Sequence, residues 1–254
     1  MMRRLGRPLL LATMVASLLA VAGCATMPPG DTARGDPWER FNRQSFAFNE
    51  VVDAAAIKPA AQVYQAVVPG LVRQGVGNVF GNIGDAWTTV NLFLQAKPAA
   101  GLNMGMRTAV NTVLGIGGLF DVAEEAGLER FTSEDLGQTL GFWGIQSGPY
   151  LVLPLLGPST LRDTSARLLE VSDSPIGHVW SEPRDHNPAL ALQLLNTRAN
   201  LLNAGRVFDE IALDKYVLMR DAYLSRRRSL IYDGDPPDEG GAGPAPYRKQ
   251  LLPK

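Results

Sequence analysis

Residues 136–161, LGQTLGFWGIQSGPYLVLPLLGPSTL, run for 26 positions without a charged side chain. A hydrocarbon layer about 30 Å thick needs about 20 apolar residues in a helix, so the stretch is long enough to cross one. Its composition argues against a span. Gly137, Gly141, Gly144, Gly148 and Gly157, with Pro149, Pro154 and Pro158, interrupt it. In a helix interior each glycine costs about 1 kcal/mol and each proline about 3. Irregular backbone facing lipid would leave its amides unpaired. The stretch therefore reads as short helical pieces and turns, packed inside protein or lying at a membrane interface.

Outward from it, the apolar periodicity is helical. Asp36-Pro37-Trp38-Glu39 predicts a capped start, with Asp36 as N-cap, Pro37 at the first position and Glu39 at the third. Trp38, Phe41, Ser45, Phe48 and Val52 then fall on one side. Phe80, Ile83, Trp87, Val90 and Leu94 repeat the spacing and stop before Lys97-Pro98. Asn187-Pro188 opens a helix with Leu190, Leu194 and Leu201 in one stripe and Leu192, Leu195, Ala199 and Leu202 in the next. Residues 214–228 form another candidate, ending in Arg226, Arg227 and Arg228 where cations suit a helix C-terminus. Sustained period-two alternation is missing. The predicted fold class is mainly α, one helical domain over residues 36–232.

The N-terminus points to export. Arg3, Arg4 and Arg7 precede an uncharged Leu/Ala/Val-rich run over residues 9–22, too short for a comfortable span. The only cysteine, Cys24, ends Val21-Ala22-Gly23-Cys24, which resembles a lipobox. Residues 1–23 are then a lipoprotein signal peptide, Cys24 the lipidation site and residues 24–35 an acylated tether. Two or more acyl chains anchor stably. Ala25 stands where an Asp would signal inner-membrane retention, so the expected destination is the outer membrane. The Pro/Gly-rich, acidic residues 233–254 are expected to be disordered.

Composition excludes several functions. Twenty-four Lys+Arg against 25 Asp+Glu give a net charge of −1, without the basic surplus that nucleic-acid binding needs. One cysteine and two histidines leave no disulfide framework and no Cys-based zinc cage. His178 and His186 sit eight apart in a turn-like stretch. Gly115-Ile116-Gly117-Gly118-Leu119-Phe120 and Gly75-Val76-Gly77 fail as dinucleotide motifs at Phe120 and Phe80. No phosphate loop and no GxSxG elbow is present.

A family resemblance then emerges. DPWERFNR over residues 36–43, Phe46, Phe48-Asn49, Lys58-Pro59, NLFLQ over 91–95 and GIGGLFDVA over 115–123 all match one pattern. So do GQTLG over 137–141, GPYLVLP over 148–154, GPS over 157–159 and Leu161-Arg162-Asp163. Together these resemble the MlaA/VacJ family of outer-membrane lipoproteins, over residues 36–232. The resemblance implies a ring-like helical domain lying in the periplasmic leaflet of the outer membrane. It implies removal of misplaced phospholipid from the outer leaflet and delivery to a soluble periplasmic carrier that feeds an inner-membrane ABC transporter. It also implies association with a trimeric porin, no catalysed reaction and no cofactor.

Phe41, Phe48, Val52, Trp143 and Tyr150 are candidates for the lipid path or for membrane contact, with Trp38, Trp87 and Trp180 as interface anchors. Arg40, Arg43 and Arg226 to Arg228 are candidates for anionic headgroups. Two other readings stand beside lipid transport: a scaffold that organises porins without moving lipid, and a membrane-tethered lipase.

Overall fold

The structure, a computed structural model, describes residues 36–128, 130–172, 177, 179 and 182–237. Cys24, the signal and tether over 1–35, His178, Trp180 and the tail beyond 237 lie outside them.

Helix α1 (Glu39–Val52) runs through a π-helical turn (Asp53–Ile57) into α2 (Lys58–Val67). Pro59 has no N–H to donate to the α-ladder, and the ladder widens just before it. Next comes α3 (Gly70–Leu94), longer than its apolar stripe indicated, paired with α4 (Pro98–Val113). A single turn, α5 (Val122–Glu125), and α6 (Leu136–Phe142) follow. Then come strands β1 (Tyr150–Leu153) and β2 (Gly157–Thr160), α7 (Leu161–Ser172), α8 (Pro183–Asn200), α9 (Leu202–Ile211) and α10 (Lys215–Ile231). The fold is mainly α, as expected.

The uncharged stretch thus resolves into α6, an antiparallel hairpin and the first residue of α7. Tyr150 pairs with Thr160 and Leu153 with Gly157. The hairpin is absent from the sequence reading because strands of four residues are too short for alternation to register. Leu155 and Gly157 take left-handed φ values of 63° and 77° in the tight connection.

Two helix starts also differ from expectation. Trp38, not Asp36, occupies the N-cap of α1, without a side-chain cap bond. Asp36 is instead buried, accepting from Asn42 Nδ2 (2.7 Å) and from the Tyr216 hydroxyl. A carboxylate satisfied by tertiary donors has no need of the helix end. Helix α8 begins at Pro183 and carries Pro188 inside it rather than at its start. By contrast Asp214, where the sequence places the start of this helix, caps α10 by accepting from the Tyr216 and Val217 amides.

The glycine-rich GIGGLF segment is a helix stop. Gly117 N and Gly118 N return to Thr112 O and Asn111 O (2.9 and 2.8 Å), with φ values of 69° and 86°. A Cβ on Gly118 would sit 2.6 Å from Asn82 Cβ, so the turn also needs glycine for space.

Burial is inverted relative to a water-soluble bundle. On α1, Asn42 and Ser45 are buried, while Phe41 and Phe48 are each 50% exposed. On α3, Asn82, Asp85, Thr88 and Asn91 face inward at successive three-residue steps, while Val90, Phe93 and Leu94 face out. On α4, Arg107 and Asn111 are buried and Leu102, Met106 and Val113 exposed. Among the described residues, buried polar side chains outnumber buried apolar ones. The principal apolar cluster is small: Tyr150, Val152 and Tyr216, with Phe46, Val217, Tyr223 and Leu224 against it.

Candidate functional site

The glycines of α3 leave one face of the helix bare beside a cavity. Gly77, Gly81 and Gly84 recur at four- and three-residue steps, which places them on one face of the helix. With Asp85, that face lines a cavity of about 500 Å³, within the range of small-molecule sites. Gln193, Asn196, Thr197 and Asn200 of α8 form part of the wall, and Arg130 and Ser133 precede α6. A Cβ on Gly84 would meet nothing within 4 Å, so this part of the face opens on space.

The walls are held by polar contacts. Arg198 on α8 grips Asp53 of the π-turn with two 2.7 Å bonds. The Tyr64 hydroxyl donates to Asn196 Oδ1 (3.1 Å), and Gln65 Nε2 reaches Ala199 O (3.2 Å). Between α3 and α4, Arg107, 1% exposed, lies 3.5 Å from Asp85 and also pairs with Asp121. Asn111 donates to Asp121 (2.9 Å) and accepts from the Ala123 amide (2.9 Å). Buried charges persist only when paired and hydrogen-bonded in this way.

A second network joins α3 to α6, α7 and α10. Arg227 bonds both Asp135 (2.5 and 2.9 Å) and Asp163 (3.0 Å). Burial opposes ionisation of both carboxyls, but Arg227 outweighs it and holds each below the usual range. Glu134 lies beside this cluster and behaves oppositely. Burial drives its pKa up to about 7, against the Gln95 hydrogen bond and the nearby Lys97, while Asp233 and Asp135 push it further up.

A raised carboxyl pKa means that the folded state binds the extra proton. Glu134 therefore costs stability progressively between pH 4.5 and about 7, and by a constant amount above that. Glu134→Gln is expected to raise the melting temperature at pH 8, by an equivalent of up to about 3 kcal/mol, and to leave it unchanged near pH 4. Equal melting curves at both pH values would refute this.

The sequence-predicted residues disperse. Phe41, Phe48 and Trp143, the last 47% exposed with Nε1 donating to Leu94 O (2.9 Å), present surface to the surroundings. Val52 is half-buried, as are Trp38 and Trp87. Tyr150 corrects the expectation of lipid contact: it is 1% exposed, packed edge-on against Tyr216 in the core. The arginine candidates divide similarly. Arg43 pairs with Glu39 and Asp214 and covers the Tyr216 ring, and Arg227 is spent on its carboxylates.

Phe41, Phe48, Val52, Trp143 and Tyr150 are not among the residues that line the cavity. Its residues, Arg130, Asp85 and the α3 glycines, escaped the sequence reading. The Gly77, Gly81, Gly84 spacing was the available signal. Among the described residues no His, Cys, Asp or Glu cluster suits a metal ion, and no helix is long and apolar enough to cross a membrane.

Known proteins share this architecture. The intermembrane phospholipid transport system lipoprotein MlaA of Escherichia coli K12 is 33% identical over 228 residues, 89% of this chain and 90% of the relative. The protein of the same name in Shigella flexneri is 32% identical over the same shares, and that of Haemophilus influenzae 28% over 87% and 90%. A solved structure, from work on the structural basis for maintenance of bacterial outer membrane lipid asymmetry, superposes with a TM-score of 0.69. It is 32% identical and covers 77% of this chain and 98% of that one. The family model for the MlaA lipoprotein matches residues 34–230, which takes in nearly every element described above, and the chain belongs to that family.

Proposed function

We propose that this protein is an outer-membrane lipoprotein, seated in the periplasmic leaflet. In this reading it draws misplaced phospholipid from the outer leaflet through the α3–α8 cavity and passes it to a soluble periplasmic carrier. The inverted burial carries the reading. Exposed apolar surface of this extent is costly in water and favourable against acyl chains. Polar groups around a cavity offer a headgroup the hydrogen bonds that hydrocarbon denies it. The named relatives, lipoproteins of an intermembrane phospholipid transport system, agree with it.

Within this proposal Phe41, Phe48 and Trp143 contact acyl chains, and Val52 sits where α1 gives way to the π-turn that holds α8. The protein acts as a passive path and makes or breaks no covalent bond in the lipid. Such a path permits flow both ways, so direction comes from the carrier and from the ABC transporter behind it. A trimeric porin would give the apolar flank a second neighbour.

Cys24 supplies the anchor. Cys24→Ala is expected to yield uncut, unacylated precursor that is lost from the outer-membrane fraction. Mature-sized, acylated protein in that fraction would refute the assignment. The function is tested with acylated protein reconstituted in vesicles carrying a fluorescent phospholipid. Expected is protein-dependent transfer to a soluble acceptor with the lipid chemically intact. Binding to porin without transfer would establish the scaffold reading instead. Release of fatty acid or lysolipid would establish the lipase.

A further inference from the structure

Among the described residues lining the cavity, Arg130 is the one cation and Asp85 the one anion. Arg130 Nε and Nη2 both reach a single oxygen, Asp85 Oδ2, at 3.2 and 2.9 Å. That fixes one edge of the guanidinium. The group lies over α3 where the helix has no side chain: a Cβ on Gly81 would fall 2.7 Å from Nη2 and 3.5 Å from Nη1. The Arg130 side chain is 43% exposed, whereas Arg107, on the other side of the same carboxylate, is 1% exposed. Arg107 is a structural counter-ion. Arg130 is a guanidinium held by one edge in a cavity that Gln193, Asn196 and Asn200 also line. A planar fork of donors beside neutral amides suits a phosphate diester, which takes paired N–H bonds from arginine.

We propose that Arg130 recognises the phosphodiester oxygens of the transported lipid headgroup, with Asp85 as its positioning residue. This rests on the transport reading above and names the chemical feature of the cargo that the cavity reads. Recognition through the phosphodiester, which all glycerophospholipids share, makes selection independent of the terminal headgroup alcohol. Because Arg107 also pairs with Asp85, removing Arg130 leaves no buried carboxylate without a counter-ion.

The test uses the acylated full chain in vesicles with fluorescent phosphatidylethanolamine, phosphatidylglycerol or diacylglycerol, each rate corrected for protein-free background. Arg130→Gln is expected to slow both phospholipids about tenfold or more, the scale of a lost charge-assisted hydrogen bond, and to lower selectivity over diacylglycerol by the same factor. Arg130→Lys keeps the charge without the fork and is expected to recover only part of the rate; it decides the matter if the glutamine variant fails to fold. Arg206→Gln, an exposed charge on α9, serves as the control.

Unchanged selectivity in both Arg130 variants overturns the proposal. A cavity-blocking substitution that stops transfer while Arg130→Gln does not would remove Arg130 and keep the route. Failure of the block itself would remove the route. Soluble glycerophosphoethanolamine is expected to slow wild-type transfer and not that of Arg130→Gln. Equal competition by inorganic phosphate would assign the site to a free anion and overturn the lipid assignment.

Discussion

Gly84→Trp is expected to give a folded, acylated, membrane-bound protein whose phospholipid transfer falls below about a tenth of the wild-type rate, a barrier increase of at least ~1.4 kcal/mol. The position separates fold from function. Gly84 lies inside α3 with ordinary helical geometry, and a Cβ there meets nothing within 4 Å. Tryptophan is also a better helix former than glycine by a few tenths of a kcal/mol. The indole is expected to occupy the cavity between α3 and α8 that Gln193, Asn196 and Thr197 line. Helical circular dichroism and melting temperature should stay at wild-type values, and the added fluorescence should report an occluded ring. Wild-type transfer with the indole so placed would mean that cargo does not pass through this cavity. A tryptophan at Leu213, fully exposed, controls for the residue itself.

Asn42→Ala is expected to cost the largest stability of any single change considered, about 3 kcal/mol or more, since each buried group left unpaired costs about 1–3. Asn42 is fully buried and makes three bonds: Nδ2 donates to Asp36 Oδ1 (2.7 Å) and to Tyr150 O (3.0 Å), and Oδ1 accepts from the Val152 amide (2.8 Å). Asn49, two helical turns on, does the same with Leu153 O and the Leu155 amide (3.0 and 2.7 Å). The two amides of α1 thus stand in for a third strand along β1, satisfying an edge that would otherwise lie open. Truncation strands a carbonyl, an amide and part of a carboxylate together. Chemical denaturation should show a lower midpoint with an unchanged slope. A shift worth less than about 1 kcal/mol would mean that water or Asn49 alone holds the edge.

Asn42 also shows how far sequence reading carries. Its place in a helix follows from the spacing of Phe41, Phe48 and Val52, and its membership of a shared motif is visible in the DPWERFNR run. Its partner strand is not, because β1 lies more than a hundred residues away and is only four residues long. The same limit governs Asp36. Locally it reads as a helix cap, but a buried Tyr216 and Asn42 claim its oxygens. Tyr150 is a comparable case, since an uncharged neighbourhood is compatible with both lipid and core.

The sequence by itself determined the helical class and the family, because apolar period and ordered motifs are local patterns. Amphipathic spacing, however, is symmetric: it shows that a helix has two faces and leaves open which one points inward. Only the tertiary structure decided that. It turned the Asn42, Asp85 and Asn111 faces toward one another and Phe41, Phe48 and Phe93 away. It also brought Arg130 onto the bare glycines of α3, a meeting across 45 residues that hydrogen bonding to Asp85 secures and no periodicity records.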